Sequence, residues 1–264
     1  MDLNAIRAKL DSLNSNGQQK EKPDYSEIFW KPELGKQTVR IVPSVFDPAM
    51  PFKELKFHYG IGKYPMIALS NFGKQDPVEE FVKELRKTND KDNWSLSGKL
   101  QPKTRIFAPV IVRGEEDKGV RLWGFGVTIY KALLALAEDE DVGDYTDVIN
   151  GWDLVVEQVQ GNPYPQTTVR IKPKQTPLSD NNDLVDKWLK EQPSPVDAFT
   201  QYDYDFIKKQ LQGYLNPGSE DSDVAETTPA AATPVAAPAS SFTLETATVG
   251  NKDAVQEFDD LFNE

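Results

Sequence analysis

Six short runs in which apolar and polar residues alternate constrain this chain more than any other feature. They are QTVRIVP from Gln37, ELKFHYG from Glu54, TRIFAPVIV at 104–112, VRLWGFGV at 120–127, WDLVVEQV at 152–159 and TTVRIKP from Thr167. A period of two with β-branched and aromatic residues predicts strands. The turn segments GEEDKG (114–119) and QGNPYPQ (160–166) join neighbours as hairpins. Five or six short strands linked in this way predict a small barrel or a twisted sheet.

Helical patterns interrupt the strands. DPVEEFVKELRKT (76–88) opens with Asp76 as N-cap and Pro77 in the first turn, and Val78, Phe81, Val82 and Leu85 form its apolar stripe. TIYKALLALAE (128–138) reads as a second helix capped by Thr128. NDLVDKWLKE (182–191) reads as a third, and SPVDAFTQYDYDFIKKQLQGYL (194–215) as a fourth, capped by Ser194 with Phe199, Phe206, Leu211 and Tyr214 as packing residues. At the N-terminus Leu3, Ile6, Leu10 and Leu13 share one stripe beside Arg7 and Lys9. A helix this short needs a surface to rest on, either its own domain or a neighbouring copy.

Residues 216–250, rich in Ala, Thr, Pro and Ser with no basic residue, cannot bury enough apolar surface to offset their ordering entropy and predict a disordered linker. It tethers EFDDLFNE (257–264), where Phe258 and Phe262 stand four apart among acids. The tip reads as a binding peptide, or as a solubilising end, which explains its acids but not its rings. The net charge of −12 is unevenly placed: residues 215–264 hold ten acids and one lysine, whereas residues 36–131 hold 17 basic and 11 acidic residues. A basic middle and an acidic tail suggest an electrostatic footprint and an interaction tail.

The chain has no cysteine and one histidine, His58, which removes disulfides, thiolate metal sites, cysteine nucleophiles and nearly all histidine-based catalysis. GIGKY (60–64) lacks the spacing of a phosphate loop and reads as a hairpin turn, and GFG (124–126) is too short for a dinucleotide fingerprint. Acid runs such as EDEDVGD (138–144) read as solvated faces. Neither an enzyme nor a metal or other cofactor is expected. With no apolar run of eighteen residues and no secretory pattern, the expectation is a cytoplasmic protein without a membrane partner.

Between Asn93 and Lys131 the composition differs. Trp94, Phe107, Trp123, Phe125 and Tyr130 interleave with Lys99, Lys103, Arg105, Arg113, Arg121 and Lys131. Unpaired nucleic acid needs this mixture, cations along the phosphates and flat rings on which bases stack. Alternation puts Arg105, Phe107 and Pro109 on one strand face, and Arg121, Trp123 and Phe125 on another. The alternative is that the rings are core and the cations solubilise.

The order of these features resembles the helix-destabilising single-stranded DNA-binding proteins of T-even-like bacteriophages. MDLNAIRAKLDSLN is similar to that family's N-terminal arm, GKQTVRIVPSVFDPAMPFKELKFHYG to its first barrel strands, DNWSLSGKLQPKTRIFAPVIV and GVRLWGFGVTIYKAL to its DNA-groove strands and following helix, and DDLFNE to its acidic end. The resemblance implies a mainly β protein with added helices (α+β): a five-stranded OB-fold barrel with a helical subdomain. The parts are an arm over residues 1–20, a core over 21–178 with the subdomain inserted at about 60–92, helices over 179–215, a linker over 216–250 and a tip over 251–264.

It implies DNA contact for Trp94, Lys103, Arg105, Phe107, Arg121 and Trp123, joined by Lys99, Arg113 and Tyr164. Head-to-tail self-association falls to Leu3, Ile6, Arg7, Lys9 and Leu10, and partner binding to Phe258, Asp259, Asp260, Leu261 and Phe262. Two departures stand out. The family's subdomain holds zinc through one histidine and three cysteines, but here only His58 is present, so the implied subdomain is zinc-free and held by the stripe of Val78, Phe81, Val82 and Leu85. The family's basic cluster in the arm is reduced to Arg7, Lys9 and Ser12. The expected role is a non-catalytic protein that coats single-stranded DNA with little sequence preference in phage replication, recombination and repair. Its partners would be further copies of itself and replication or recombination proteins such as a polymerase, helicase loader or recombinase, in the cytoplasm of the infected bacterial host. The rival is an acidic adaptor or chaperone with an OB-like protein-binding barrel.

Overall fold

The computed structural model describes residues 25–216, so the expected arm residues Leu3, Ile6, Arg7, Lys9 and Leu10, the linker and the tip with Phe258, Asp259, Asp260, Leu261 and Phe262 lie outside the described residues. The fold is mixed α+β. The order is α1 (Tyr25–Ile28), β1 (Phe29–Trp30), β2 (Gly35–Ile41), β3 (Lys53–His58), β4 (Met66–Ile67), α2 (Pro77–Lys87), α3 (Lys91–Leu100) and β5 (Lys103–Val112). Then follow β6 (Arg121–Phe125), α4 (Val127–Glu138), β7 (Trp152–Val159), β8 (Gln166–Gln175), α5 (Asn182–Lys190) and α6 (Tyr204–Leu215). All six alternating runs are strands.

The eight strands form one sheet with the path β1-β6-β5-β2-β7-β8, and β3, carrying β4, also pairs with β5. The strand β5 organises it. Its one edge takes β3 along Lys103–Phe107 and β2 along Val110–Val112, and its other edge takes β6. This path is open among the described residues; a closed five-stranded barrel is not what the pairing describes.

Both sheet faces are covered. One carries Val39, Ile41, Ile106, Ala108, Val110, Trp123, Phe125, Leu154 and Val156 with Leu133 of α4. The other carries Phe29, Leu55, Phe57, Phe107 and Leu122, roofed by Val196, Ala198 and Phe199. At one end α5 lays Val185 and Trp188 on Val42, Ile111 and Val120. A separate cluster joins Ile61, Met66 and Leu69 to Val78, Phe81, Val82 and Leu85 of α2, Leu96 and Leu100 of α3, and Ile207, Leu211 and Leu215 of α6. The helical unit thus reaches past residue 92 to Leu100 and recruits the last described helix.

Three local expectations change. Residues 91–100, read as part of a groove strand, form α3: Asp90 caps it by accepting Asn93 N–H at 2.8 Å, and Asn93, Leu96, Ser97 and Leu100 repeat at helical spacing on the buried side. Helix α4 begins at Val127 behind Gly126, with no side-chain cap, in place of the Thr128 start. The last helix begins at Tyr204, because Asp203 accepts Phe206 N–H at 2.7 Å, whereas Ser194 caps only a single turn through Asp197 N–H at 3.3 Å. No helix among the described residues is long and apolar enough to cross a membrane.

Candidate nucleic-acid interface

The Arg-aromatic face expected to form a groove is largely interior. Phe107 and Trp123 are each 1% exposed. The alternation was read correctly, but both sheet faces are packed, so neither side of β5 or β6 is left to solvent. Phe199 seats its ring 5.3 Å from Phe107, and Trp123 meets Trp30 at 5.5 Å and Phe125 at 4.6 Å. A ring enclosed on both sides has no surface to offer a base.

Two of the expected cations are also committed to the fold. Buried Arg121 donates from Nη2 to Glu115 Oε2 at 2.8 Å, and its bond helps hold the Glu115 carboxyl below its ordinary pKa, after the larger effect of Lys118 and against the cost of burial. Arg113 donates from Nη2 and Nε to Asp153 Oδ1 at 2.9 and 3.1 Å and from Nη1 to the Leu178 carbonyl at 2.8 Å. Asp153 also faces Arg40, a fully buried guanidinium that donates to the carbonyls of Asp147 and Thr176 at 2.7 and 2.9 Å. These arginines clamp the ends of β2, β5 and β7 to the loops beside them.

The remaining expected residues do reach solvent. Trp94 on α3 is 68% exposed, the highest value of any ring among the described residues. Lys99 follows on the same helix, and the chain turns at once into β5, whose first residues include exposed Lys103 and half-buried Arg105. Arg105 extends past Gly126, its Nη1 3.8 Å from where a Cβ would stand there. Burial raises the pKa of the Tyr59 phenol, and nearby Arg105 offsets this in part. Tyr164, at the tip of the β7–β8 hairpin, is 37% exposed.

Further exposed groups lie on β3 and the turn after it, at the seam where the sheet meets the helical unit. Lys53 and Lys56 are exposed on β3, which runs beside β5 with Leu55 opposite Arg105, and Lys56 lies 3.8 Å from Glu79. The GIGKY turn places Lys63 Nζ 5.3 Å from the ring centre of Tyr64, itself 38% exposed. The available signal for Tyr64 was its place at the end of a glycine-rich turn, whereas Tyr59, at the start of that turn, packs against Phe57 and the core beneath it. Lys53 also edges a cavity of about 180 Å³ between the Ser44–Phe52 loop and Gln192–Val196, with Phe46, Met50, Pro109 and Leu122 among its walls.

His58 takes a structural part. Its Nε2 lies 2.9 Å from Asp76 Oδ2, both side chains buried, and Asp76 Oδ2 also accepts Leu69 N–H at 2.8 Å. Oδ1 accepts Val78 N–H at 3.0 Å and Glu79 N–H at 3.2 Å, so one carboxylate ties β3, the turn after β4 and the start of α2 together. These residues do not fit a zinc site. The chain has no thiolate, the histidine is committed to Asp76, and no group of three His, Cys, Asp or Glu residues suited to a metal occurs among the described residues.

Comparison with protein families matches residues 33–209, about two thirds of the chain, to the family described as gp32 DNA binding protein like. The chain belongs to the gp32-like DNA-binding family. The match begins just before β2, passes through β2 to β8 and the helices α2 to α5, and ends within α6, leaving β1 outside it. It therefore includes the seam carrying Trp94, Lys99, Lys103 and Arg105 and the hairpin carrying Tyr164. Family membership makes single-stranded DNA the partner and a non-catalytic binding role the activity. Comparison with curated proteins gives no match.

Proposed function

We propose that this gp32-like protein coats and protects single-stranded DNA with little sequence preference during phage replication, recombination and repair. The strand lies along the seam between sheet and helical unit. The observation that carries this reading is the solvent-exposed ring of Trp94 on a helix that leads directly into Lys99, Lys103 and Arg105. Cations spaced along a strand meet phosphates, and Trp94, Tyr164 and Tyr64 offer rings to bases irrespective of sequence. Phe107, Trp123, Arg113 and Arg121 act as scaffold beneath these contacts. The sheet would serve as an OB-like platform whose long central strand aligns the cations.

The finer parts of the role rest on the sequence. Leu3, Ile6, Arg7, Lys9 and Leu10 form an arm for head-to-tail association on DNA, and Phe258, Asp259, Asp260, Leu261 and Phe262 recruit replication proteins in the cytoplasm of the host. The acidic tail competes with DNA for the basic seam, since a tether gives it a high effective concentration.

The test is a titration of poly(dT) into the full chain at several salt concentrations, following tryptophan fluorescence. Quenching that is lost in Trp94→Phe, with an affinity that falls steeply as salt rises, is the expected result. An affinity insensitive to salt would instead fit an apolar protein-binding surface and bring this reading down.

A further inference from the structure

The aromatic pairs of the core meet at interplanar angles of 46–82°, tilted or edge-to-face as close-packed rings do. Tyr202 and Phe206 differ. Their centroids lie 4.6 Å apart with planes only 12° from parallel. Tyr202 packs against the helical cluster, whereas Phe206 is 40% exposed and stays outside the inward face of α6 made by Ile207, Leu211 and Leu215. A parallel ring stack backed by a core and open at its outer end has the form of a column that one more flat ring would extend.

This column continues toward the GIGKY turn. Ile61 is buried in the same cluster as Ile207 and Leu211. Gly62 lies so close to α6 that a Cβ there would stand 3.0 Å from Gln210 Oε1. Gln210 is four residues after Phe206, hence on the same side of the helix. The turn therefore rests on α6 about one helical turn from Phe206, with exposed Lys63 and Tyr64 next in the chain, and Lys209 is exposed one turn from Phe206. The acids nearby are largely committed: Asp203 caps α6 and Glu80 accepts the Tyr204 hydroxyl at 2.6 Å, leaving Asp205 exposed.

We propose that Tyr202 and Phe206, with Lys63, Tyr64 and Lys209, form a second base-stacking platform that carries the single strand from the seam onto the helical unit. This rests on the single-stranded DNA reading above. Phe206 receives an unpaired base on its outer face, and Lys63 and Lys209 meet the flanking phosphates. The occupant is DNA because the platform has the ring-and-cation composition that unpaired bases require and adjoins the seam through residues 59–64.

The experiment uses the full chain and end-labelled oligo(dT) of increasing length, read by anisotropy, for the native protein and for Phe206→Leu and Phe206→Tyr. Leucine keeps apolar volume and removes the ring; tyrosine keeps the ring. The expected result is a loss of roughly tenfold in affinity for long oligomers in Phe206→Leu, with Phe206→Tyr near native. Ultraviolet crosslinking of 5-bromodeoxyuridine-substituted strands should also mark a peptide within 202–210. Native affinity of Phe206→Leu at every length, as a protein-docking surface would give, overturns the platform while leaving the seam intact. Equal loss in both variants overturns it as well, because the ring is then not what binds. Failure of the native protein to bind any oligomer would instead remove the parent reading.

Discussion

At the scale of residues, the five tryptophans are not equivalent: Trp94 stands in water and Trp123 is sealed among Trp30 and Phe125. Replacing Trp94 by alanine should leave unfolding free energy within about 0.5 kcal/mol of native and weaken oligo(dT) binding roughly tenfold. Replacing Trp123 should cost about 3–5 kcal/mol in denaturant unfolding through the cavity it leaves. If the two variants exchanged these phenotypes, the placement of the interface would be wrong. Asp76 gives a second prediction. Burial disfavours its charge, yet hydrogen bonds from His58 and the Leu69 and Glu79 amides outweigh this and bring its pKa below the ordinary 3.8. A folded-state value below the unfolded one means stability that is fully present above about pH 4 and is lost as pH falls through the folded value. Melting temperature should therefore drop on acidification below that point. In Asp76→Asn the drop should be smaller, from a baseline already lowered by about 1–3 kcal/mol, because an amide NH₂ in place of Oδ2 opposes the Leu69 N–H. An unchanged acid limb in Asp76→Asn would exclude Asp76 as its source.

At the scale of elements, β5 explains why the groove face was misread. Its burial is continuous from Ile106 to Val112, so alternation along it separates two cores and not a core from a solvent face. Gly124 on β6 belongs to the same arrangement. It stands opposite Phe107, and a Cβ there would lie 2.8 Å from Phe107 Cε1 and 3.2 Å from Cδ1. Gly124→Ala should cost about 1–3 kcal/mol as the ring is driven toward Phe57 and Phe199, measurable by chemical denaturation. A neutral effect would show that the Phe107 ring has room to move. Helix α3 was missed for a related reason. Its inward positions include Asn93 and Ser97, polar residues that hide the helical period, and only the contact with α2 makes them interior.

At the scale of the whole molecule, charge is sorted along the chain. The 48 residues after Asn216 hold ten acids and one lysine, and the proposed function has them compete with DNA phosphates for the cations of the seam. Ending the chain at Asn216 keeps buried Leu215 and removes the proposed competitor. The shortened protein should bind poly(dT) severalfold more tightly at low salt, and the gap should close as salt screens the tail. Equal affinities at low salt would show that the tail does not occupy the seam.

The strands β2, β3 and β5 to β8, with α2 and α5, could be read from the chain because their determinants are local: a two-residue alternation, an Asp cap before Pro77, an apolar stripe at helical spacing; the two-residue strands β1 and β4 are too short to show a period. The residues proposed as the site drew attention because Trp94, Lys99, Lys103 and Arg105 lie close together in sequence, and the fold leaves the first three exposed and Arg105 half-buried. Which rings face water was a different matter. Burial of Phe107 depends on Phe199, ninety-two residues away, and burial of Trp123 on Trp30. Likewise the GIGKY turn reaches α6, the helix that carries Phe206, only because α6 folds back onto α2. Exposure belongs to a residue and whatever covers it, and the cover comes from distant parts of the chain that no local pattern names.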